Sequence, residues 1–236
     1  KLWGRNDNCL IIRMQVAVII PAAGSGNRFG SKKQFKLFRG KSLLKYSVDK
    51  FLKISSVKEI IIVVPNGQVE KIKKSFESIF LNNINLKVVV GGQFRQESVK
   101  KGLNVLAKDI DLVCVHDAAR PFVTEKLINT TIEKSTKYDG AIAAIQPVDT
   151  VKLFSNNKIK QSLDRKNIWL AQTPQVFKKD KLILAFKNAL DKKIIGTDES
   201  SLMEEAGFLV VPVVGDISNF KVTSPEDWER LNEVGK

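Results

Sequence analysis

The feature that most constrains this chain is an unbroken apolar run that leads directly into a glycine-rich, cationic loop. Residues 16–20 are all apolar, and the loop over residues 24–30 contains three glycines. An apolar run without alternation is typical of a strand that is covered on both faces of a parallel sheet. Small residues after such a strand let backbone N–H groups approach a phosphate closely. Together with Arg28 and Lys33, the segment predicts a binding site for a nucleoside triphosphate.

Two common phosphate-binding motifs do not match the sequence of this segment. A dinucleotide-binding fingerprint needs a glycine three places after Gly26, but Phe29 stands there and the glycine comes at Gly30. A Walker loop needs Gly-Lys-Ser/Thr, whereas Gly30 is followed by Ser31 and Lys32. We therefore expect a loop in which backbone amides and cationic side chains bind phosphates together.

The composition is that of a folded globular protein. The chain has 236 residues, of which 43% are hydrophobic and 27% are charged, so it is long enough for one complete core and unlike a disordered chain. We expect a single domain at residues 14–236 behind an N-terminal extension, residues 1–13. No apolar run reaches the roughly 18 residues that a bilayer span needs, so no membrane partner is expected. The two cysteines, Cys9 and Cys114, favour a reducing cytoplasmic location, or the plastid stroma for a plant or algal chain.

The chain is strongly basic. Its formal net charge is +14, from 39 Lys and Arg residues against 25 Asp and Glu residues, and such a surplus attracts anions. The lysines are scattered through nearly every segment, not gathered in one arm with interleaved aromatic residues. We interpret them as a solvated surface and expect no nucleic-acid partner. A basic nucleic-acid-binding module stays the distant alternative, which a salt-sensitive gel shift would reveal.

Apolar runs alternate with helical patterns along the chain. Runs of strand type cover residues 17–20, 59–64, 86–90, 112–115, 141–145 and 209–213. Between them, three segments place apolar residues on one helical face: Leu44, Val48, Phe51 and Leu52; Val99, Leu103 and Leu106; Leu182, Phe186, Ala189 and Leu190. A last helix should begin at Ser224-Pro225, an N-cap residue followed by proline in the first turn. This alternation predicts an α/β fold, Rossmann-like and three-layered, with a mostly parallel central sheet.

One segment breaks the alternation. Residues 150–154 and 161–164 flank the turn-forming residues 155–157, which predicts a β-hairpin within an arm at about residues 147–173. Two strands that project from a sheet bury little by themselves, so such an arm usually packs on another chain. We therefore expect a homodimer that forms through the β-arm.

A first polar cluster, from Gly91 to Ser98, follows the third predicted strand. Ligands of open α/β sheets bind at this end of the strands. The glycines allow a flat base to approach the backbone, Arg95 supports the loop, and Ser98 is predicted to cap the next helix. A simple turn with a helix cap is the alternative interpretation.

A second polar cluster, residues 116–121, follows the fourth predicted strand. Asp117 is a candidate for a metal-linked or hydroxyl-binding carboxylate. His116 is the one histidine of the chain, and we interpret it as a structural residue whose hydrogen bonds are satisfied. Neither histidines nor paired cysteines supply a recognisable metal cluster.

Hydroxyl groups and cations recur later in the chain, and each has a local alternative to ligand binding. The alternatives are a side chain that faces water, a surface ion pair, a hydroxyl group in a turn, and the N-cap of a helix. The N-cap applies to Thr197, which precedes Asp198 and Glu199. The residues are Thr150, Lys152, Arg165, Thr173, Thr197 and Lys221.

Together the polar motifs keep a fixed order along the chain. They are Pro21-Ala22-Ala23-Gly24-x-Gly26-x-Arg28, Lys33-Gln34, Gly91-Gly92-x-x-Arg95-x-x-Ser98-Val99, His116-Asp117-Ala118-Ala119-Arg120-Pro121, Pro147-Val148, Thr150, Asp164-Arg165, Thr173-Pro174-Gln175, Thr197-Asp198-Glu199 and Lys221-Val222-Thr223-x-Pro225-Glu226-Asp227. In this order they closely resemble the 2-C-methyl-D-erythritol 4-phosphate cytidylyltransferase family, from about residue 16 to the C-terminus. Enzymes of that family transfer CMP from CTP to the sugar-alcohol phosphate and release pyrophosphate, in the non-mevalonate route to isoprenoids.

The resemblance implies a nucleotidyltransferase fold and a role for each motif. The catalytic cations that hold the triphosphate would be Arg28, Lys33 and Lys221. The residues that bind the rest of CTP would be Ala22, Ala23, Gly24, Gly26, Gly92 and Ser98. The residues that bind the sugar-alcohol phosphate would be Asp117 and Thr197, together with Thr150 and Arg165 from the arm of the partner chain.

The resemblance also implies a cofactor and a mechanism. Mg²⁺ or another divalent cation would be held mainly by the triphosphate, with Asp117 as a candidate ligand. A phosphate monoester is already an anionic nucleophile at neutral pH, so its attack on the α-phosphorus needs cations but no general base. Ribitol-5-phosphate cytidylyltransferase shares this fold and stays an alternative, although the Pro21–Gly24 and Pro147-Val148 motifs favour the erythritol enzyme.

Overall fold

Strands and helices alternate along the part of the chain that the structure describes. The computed structural model describes residues 14–24, 26, 29–77 and 84–234, so the predicted extension, residues 1–13, lies outside it. The strands are β1 (Val16–Pro21), β2 (Leu37–Phe38), β3 (Lys41–Ser42), β4 (Val57–Val64), β5 (Asn85–Val90), β6 (Leu112–Val115), β7 (Gly140–Ile145), β8 (Lys152–Ser155), β9 (Lys158–Ser162), β10 (Leu170–Lys178) and β11 (Val210–Val214). The helices are α1 (Leu43–Phe51), α2 (Val69–Ser75), α3 (Arg95–Leu103), α4 (Glu125–Lys137), α5 (Lys179–Asp191), α6 (Glu199–Glu205) and α7 (Pro225–Val234).

The centre of the fold is a seven-stranded sheet in the order β11-β7-β10-β6-β1-β4-β5. Strand β1 pairs in parallel with β4 and β6, β5 lies parallel to β4, and β11 lies parallel to β7. Strand β10 is antiparallel to both of its neighbours, β6 and β7. The predicted α/β fold with a mostly parallel sheet is therefore confirmed. The antiparallel strand β10 was not among the predicted strands.

Successive residues of β1 point to opposite faces of the sheet and enter two separate cores. Val18 and Ile20 pack in the core that also contains apolar residues of α1, α2 and α4. Ala17 and Ile19 pack in the core that contains residues of α3, α5 and α6. Because both faces of β1 are covered, all its apolar side chains are removed from water, which explains the continuous apolar run in the sequence. The sheet between two helical layers is the predicted three-layer arrangement.

The β-arm is the part of the fold that leaves the sheet. Strands β8 and β9 form their own antiparallel two-stranded sheet, as the hairpin pattern predicts. Asn156 and Asn157 form the turn with φ of 52° and 58°, and asparagine accepts such left-handed backbone more readily than most residues. Every residue of β9 is exposed.

Three local predictions about helices are corrected by the structure. Phe94, not Ser98, occupies the N-cap position of α3, and Ser98 lies within the first turns of that helix. Asp198, not Thr197, caps α6, where its side chain accepts a hydrogen bond from the amide of Ser201. Leu190 was predicted on the buried face of α5 but is 61% exposed, because the buried stripe of that helix consists of Leu182, Ala185, Phe186 and Ala189 and leaves Leu190 to one side.

The other predicted helices are present, although Leu52 and Leu106, which were predicted on helical faces, lie beyond the last residues of α1 and α3. The predicted last helix begins at Pro225, and the Asp227 amide donates to Ser224 Oγ over 3.4 Å, as expected for an N-cap serine.

Within the described residues, no helix combines the length and the apolar character needed to cross a membrane.

Candidate active site

A cavity of about 290 Å³ opens at the carboxyl ends of β1, β5 and β6. Four stretches of chain form its walls: residues 21–24 with Gly26, residues 33–34, the loop and first helical turn at residues 92–98, and residues 117–119. The side chain of Lys221 completes them. Ligands of open α/β sheets bind at this edge because adjacent loops diverge there and leave a crevice. Every residue that the sequence predicted to contact CTP by backbone or hydroxyl lines this cavity: Ala22, Ala23, Gly24, Gly26, Gly92 and Ser98.

The phosphate loop is folded back onto the end of β1 by one buried side chain. Gln34 Nε2 donates to the carbonyl oxygens of Ala22 and Gly24, over 2.8 and 2.9 Å. These bonds place the short helical turn Lys33–Phe35 beside the strand end, so that Lys33 lines the cavity. Gly26 has a φ of 78°, and a Cβ at this position would lie 1.9 Å from a backbone oxygen of the same loop. Only glycine fits this turn. Arg28 lies outside the described residues.

The loop after β5 packs tightly against the same strand end. A Cβ added to Gly91 would lie 2.3 Å from the Cβ of Ala23, which shows how closely the two backbones approach. Ser98 Oγ accepts from the Gly92 amide over 3.1 Å and donates to the Phe94 carbonyl over 3.1 Å. Its hydroxyl therefore ties the loop to α3 from within the helix. Gly92 lines the cavity, so backbone forms this part of its wall.

The floor of the cavity is a buried carboxylate surrounded by cations. Asp117 is only 7% exposed. Its carboxylate forms ion pairs with Lys221 Nζ at 2.9 Å, Arg95 Nε at 3.4 Å and Arg120 Nε at 3.5 Å. Burial alone would raise the pKa of Asp117, but the three cations outweigh it and hold that pKa far below its usual range. The carboxylate is therefore ionised throughout the physiological pH range, and it fixes three positive groups, of which Arg95 and Lys221 line the cavity.

Arg95 is held from behind by a second buried acid that the sequence reading did not single out. Its Nη1 donates to Glu199 Oε1 over 2.7 Å, and Glu199 is 1% exposed. Burial disfavours the charge on both groups. For Glu199 it raises the pKa although Arg95 opposes this, whereas the two neighbouring carboxylates raise the pKa of Arg95 despite its burial. The Thr197-Asp198-Glu199 motif contained this residue, but its partner is distant in sequence.

Arg120 was the other unassigned member of the charged cluster. Its Nη1 donates to the Asn219 carbonyl over 2.7 Å, so the guanidinium joins the segment after β6 to the segment that carries Lys221. The sequence indicated Arg120 through its place in the motif at residues 116–121. Nothing local in the sequence indicated the contact across the fold.

His116 lies beneath the cavity and is fully buried, in agreement with the structural role inferred from the sequence. Its Nδ1 lies 3.0 Å from Thr173 Oγ1 and its Nε2 lies 3.1 Å from the Arg120 carbonyl. Because a carbonyl can only accept, Nε2 carries the proton and Nδ1 accepts from the hydroxyl. The Asp117 amide donates in turn to Thr173 Oγ1 over 3.1 Å, so this chain of bonds orients the peptide that carries Asp117. Burial lowers the pKa of His116 to about 4, and the ring stays neutral.

The buried neutral histidine makes folding stability depend on pH. Between pH 7 and pH 5 the unfolded chain takes up a proton at His116, whose ordinary pKa is about 6.5, while the folded chain does not. Stability is therefore lost as pH falls, by about 2 kcal/mol at pH 5 from this group alone, which is 1.5 pKa units at about 1.4 kcal/mol each. Urea unfolding of the wild type and of His116→Gln at pH 7 and pH 5 measures this loss in the free energy of unfolding. The loss between pH 7 and pH 5 should be about 2 kcal/mol smaller in the variant, and equal losses would contradict the assignment.

The predicted residues of the arm do not line the cavity of their own chain. Thr150 and Arg165 are exposed, and Arg165 Nη1 donates to the Val148 carbonyl over 2.5 Å. Thr197 is also exposed and lies outside the cavity wall, just before the cap of α6. The structure therefore unites the predicted CTP residues with Lys33, Asp117 and Lys221, but it leaves these three hydroxyl and guanidinium groups apart from them.

The protein side chains described here do not form a magnesium site of their own. No group of three or more His, Cys, Asp or Glu side chains comes together in residues 14–24, 26, 29–77 and 84–234. The oxygens of Asp117 already face three cations, which disfavours a further positive ion on this carboxylate. The arrangement suits an anion that brings its own charge into a cationic cavity.

Comparisons with known proteins agree with this geometry. The family model for 2-C-methyl-D-erythritol 4-phosphate cytidylyltransferase matches residues 16–233. An enzyme of that name from Syntrophus aciditrophicus is 37% identical over 219 residues, which cover 92% of this chain and 94% of the relative. The enzyme of the same name from Caldanaerobacter subterraneus is 38% identical over 217 residues, which cover 91% of this chain and 96% of the relative.

Solved structures show the same fold. The 4-diphosphocytidyl-2C-methyl-D-erythritol synthase of Anaerococcus prevotii superposes with a TM-score of 0.83 at 30% identity, over 94% of this chain and 98% of that chain. The cytidylyltransferase of Thermus thermophilus superposes with a TM-score of 0.78 at 28% identity and the same coverage. From the family match over nearly the whole described core and from these relatives, the chain belongs to the 2-C-methyl-D-erythritol 4-phosphate cytidylyltransferase family, IspD.

Proposed function

We propose that this chain transfers CMP from CTP to 2-C-methyl-D-erythritol 4-phosphate and releases pyrophosphate. The observation that carries the proposal is the cavity itself, in which a close-packed backbone loop lies opposite a carboxylate surrounded by three cations. A flat base and a polyphosphate need these two surfaces side by side. The membership of the nucleotidyltransferase family supplies the reaction class.

The proposed nucleotide site uses the residues that line the cavity from β1 and from the loop after β5. Cytosine would lie against Gly92 and Ser98, while the backbone at 22–26 would hold the ribose and the phosphates. Lys33 would bind the triphosphate at the loop, and Lys221 would bind the α-phosphate from the Asp117 end. Arg28 keeps its proposed role on the triphosphate from the sequence motif alone.

The proposed reaction is an in-line displacement at the α-phosphorus. A phosphate oxygen of the acceptor forms the new P–O bond, and the bond from the α-phosphorus to the bridging oxygen breaks as pyrophosphate leaves with its electron pair. The acceptor phosphate is already ionised, so no proton must be removed and no general base is needed. The obstacle is repulsion between two anions, which fixed cations reduce while they stabilise the extra charge of the transition state. Asp117 holds these cations in place.

Mg²⁺ enters this proposal as part of the substrate. Because Asp117 is occupied by cations, we propose that the metal is bound by the triphosphate and arrives as the magnesium complex of CTP. The three ion pairs of this carboxylate fit a residue that organises cations better than a metal ligand.

We propose that the acceptor site is completed by a second copy of the chain. The arm exposes several large apolar side chains, which is unusual for an element that has to stay in water. They include Val148 at 74%, Phe154 at 64% and Ile159 at 64% exposure. Packing on a partner would cover them and bring Thr150 and Arg165 to the phosphate of the acceptor, with Asp117 and Thr197 on its hydroxyl groups.

We propose the cytoplasm as the location of this protein. The free thiol of Cys114, buried in β6, fits such a reducing compartment.

Substrate specificity tests the proposal directly. Pyrophosphate release is measured with CTP, UTP or ATP and Mg²⁺, with methylerythritol phosphate or ribitol 5-phosphate as the acceptor. We expect turnover with CTP and methylerythritol phosphate at least about 100-fold faster than with any other pair, since a site built to hydrogen-bond one base leaves buried groups unpaired with another. Equal turnover with ATP or UTP would refute the base assignment, and faster turnover with ribitol 5-phosphate would favour the alternative acceptor.

A further inference from the structure

We propose that Trp228 is a positioning residue that fixes the phosphate loop, and with it Lys33, relative to Lys221. The proposal rests on the proposed cytidylyl transfer, in which these two cations act on one triphosphate. Trp228 lies in the first turn of α7, next to the segment that carries Lys221. It does not line the cavity and therefore acts through the groups that it holds.

The first observation is that the indole packs on both ends of the segment that carries Lys33. Its ring centroid lies 5.8 Å from that of Phe29, at an interplanar angle of 61°, and 6.3 Å from that of Phe38, at 85°. Both are edge-to-face arrangements, which aromatic pairs favour. Lys36 Nζ lies 4.4 Å from the centroid of the indole ring, a distance suited to a cation–π contact. Phe38 is 4% exposed, so one end of this contact is part of a core.

The second observation is that the same helical turn holds the Lys221 segment. Asp227 Oδ2 accepts from the amides of Thr223 and Ser224, over 2.7 and 3.0 Å. Val222 is fully buried, and its amide donates to the Ala119 carbonyl over 2.9 Å. Lys221 is thus held between a fixed backbone and its ion pair with Asp117.

Adjacent residues of α7 therefore contact the two cationic segments, Asp227 on one side and Trp228 on the other. Gln34 joins the loop to β1 near Lys33, and among the described residues the contact between Phe29 and Trp228 joins the loop to α7. A triphosphate that spans both cations is sensitive to their separation, since a displacement of about 1 Å in a positioned group can reduce the rate about 100-fold.

Substitution of Trp228 tests the proposal by its effect on the kinetic constants for CTP. In Trp228→Ala and Trp228→Leu we expect kcat/KM for CTP to fall about 10- to 100-fold, with KM for methylerythritol phosphate changed less than about threefold. Trp228→Phe keeps an aromatic ring against Phe29 and should recover most of the loss. Phe186→Leu, a buried substitution in the opposite core on α5, is the control for lowered stability and should leave kcat/KM near that of the wild type.

A spectroscopic measurement separates this proposal from the proposed function. A chain with Trp3→Phe and Trp169→Phe keeps Trp228 as its one indole, because the sequence contains three tryptophans. Its fluorescence should change on titration with CTP and also with inorganic triphosphate. If the wild type does not turn over CTP with methylerythritol phosphate, the proposed function fails while this titration still tests the contact. Unchanged fluorescence, or kcat/KM within twofold of the wild type in both Trp228→Ala and Trp228→Leu, would overturn the positioning role.

Discussion

Replacing Lys33 with alanine is expected to lower kcat by about 100- to 1000-fold, while the affinity for CTP changes far less. Lys33 lines the cavity at the end of β1, where the triphosphate is proposed to lie. A cation that contacts charge developing in the transition state contributes more to the reaction than to ground-state binding, typically about 2–4 kcal/mol. Steady-state pyrophosphate release gives kcat, and calorimetric titration with CTP gives the dissociation constant.

The neighbouring lysine provides a matched control for this substitution. Lys32 is exposed, lies one residue before Lys33 and is not part of the cavity wall. Lys32→Ala removes the same charge from the same loop and should keep kcat within about threefold, because solvent screens a surface charge. If Lys32→Ala and Lys33→Ala reduce kcat equally, the effect comes from the overall positive potential and Lys33 has no specific role.

The parallel part of the sheet was predictable because its strands are buried on both faces. In β1 (residues 16–20), in the last five residues of β4 (residues 60–64) and in β6, apolar residues follow one another without interruption, so the local sequence is enough to predict these strands. The turn of the arm was predictable for another local reason, since Asn156 and Asn157 both tolerate positive φ. The last helix also followed from its capping residues alone.

Strand β10 could not be predicted in this way because polar residues interrupt it inside the core. Gln172, Thr173 and Gln175 are at most 5% exposed, which a strand pattern does not anticipate. Their polar groups are satisfied by distant segments: Gln175 Nε2 donates to Asp198 over 2.7 Å, and Asn219 Nδ2 donates to the Thr173 carbonyl over 2.8 Å. Burial of these groups is tolerable only with such partners. The partners come from elsewhere in the chain, so the sequence of β10 alone does not reveal them.

The charged centre of the site was predictable in its members but not in its arrangement. The sequence pointed to Asp117 and Lys221 through their motifs, yet their ion pair joins segments on opposite sides of β10 in the chain. Glu199 looked like a first-turn acid of a helix, and its role behind Arg95 required the packing of α6 against the sheet. Local patterns identify the types of group present, whereas the pairing of charges depends on the tertiary fold.

The β-arm leads to the prediction with the clearest outcome, restoration of activity by mixing two inactive chains. One chain carries Lys33→Ala and Lys221→Ala, so its own cavity is defective while its arm is intact. The other carries Arg165→Ala, so its cavity is intact while its arm is defective. If Arg165 serves the partner's site, a mixed dimer contains one site with an intact cavity and an intact arm and one site with both defects. Each mixed dimer should then reach about half of the wild-type turnover per dimer.

The experiment needs proof that mixed dimers form and that the arm acts across the interface. Two different affinity tags, purified in sequence, isolate the mixed dimer from either parent. The control pairs the doubly substituted chain with one that carries Lys33→Ala, Lys221→Ala and Arg165→Ala. No site in that dimer has an intact cavity, so activity should stay at the background of the parents. Exposure of the arm's apolar residues and of Arg165 in the single chain is the physical basis of this expectation. Isolated mixed dimers that remain inactive would show instead that each site is built within one chain, and the shared acceptor site would be wrong.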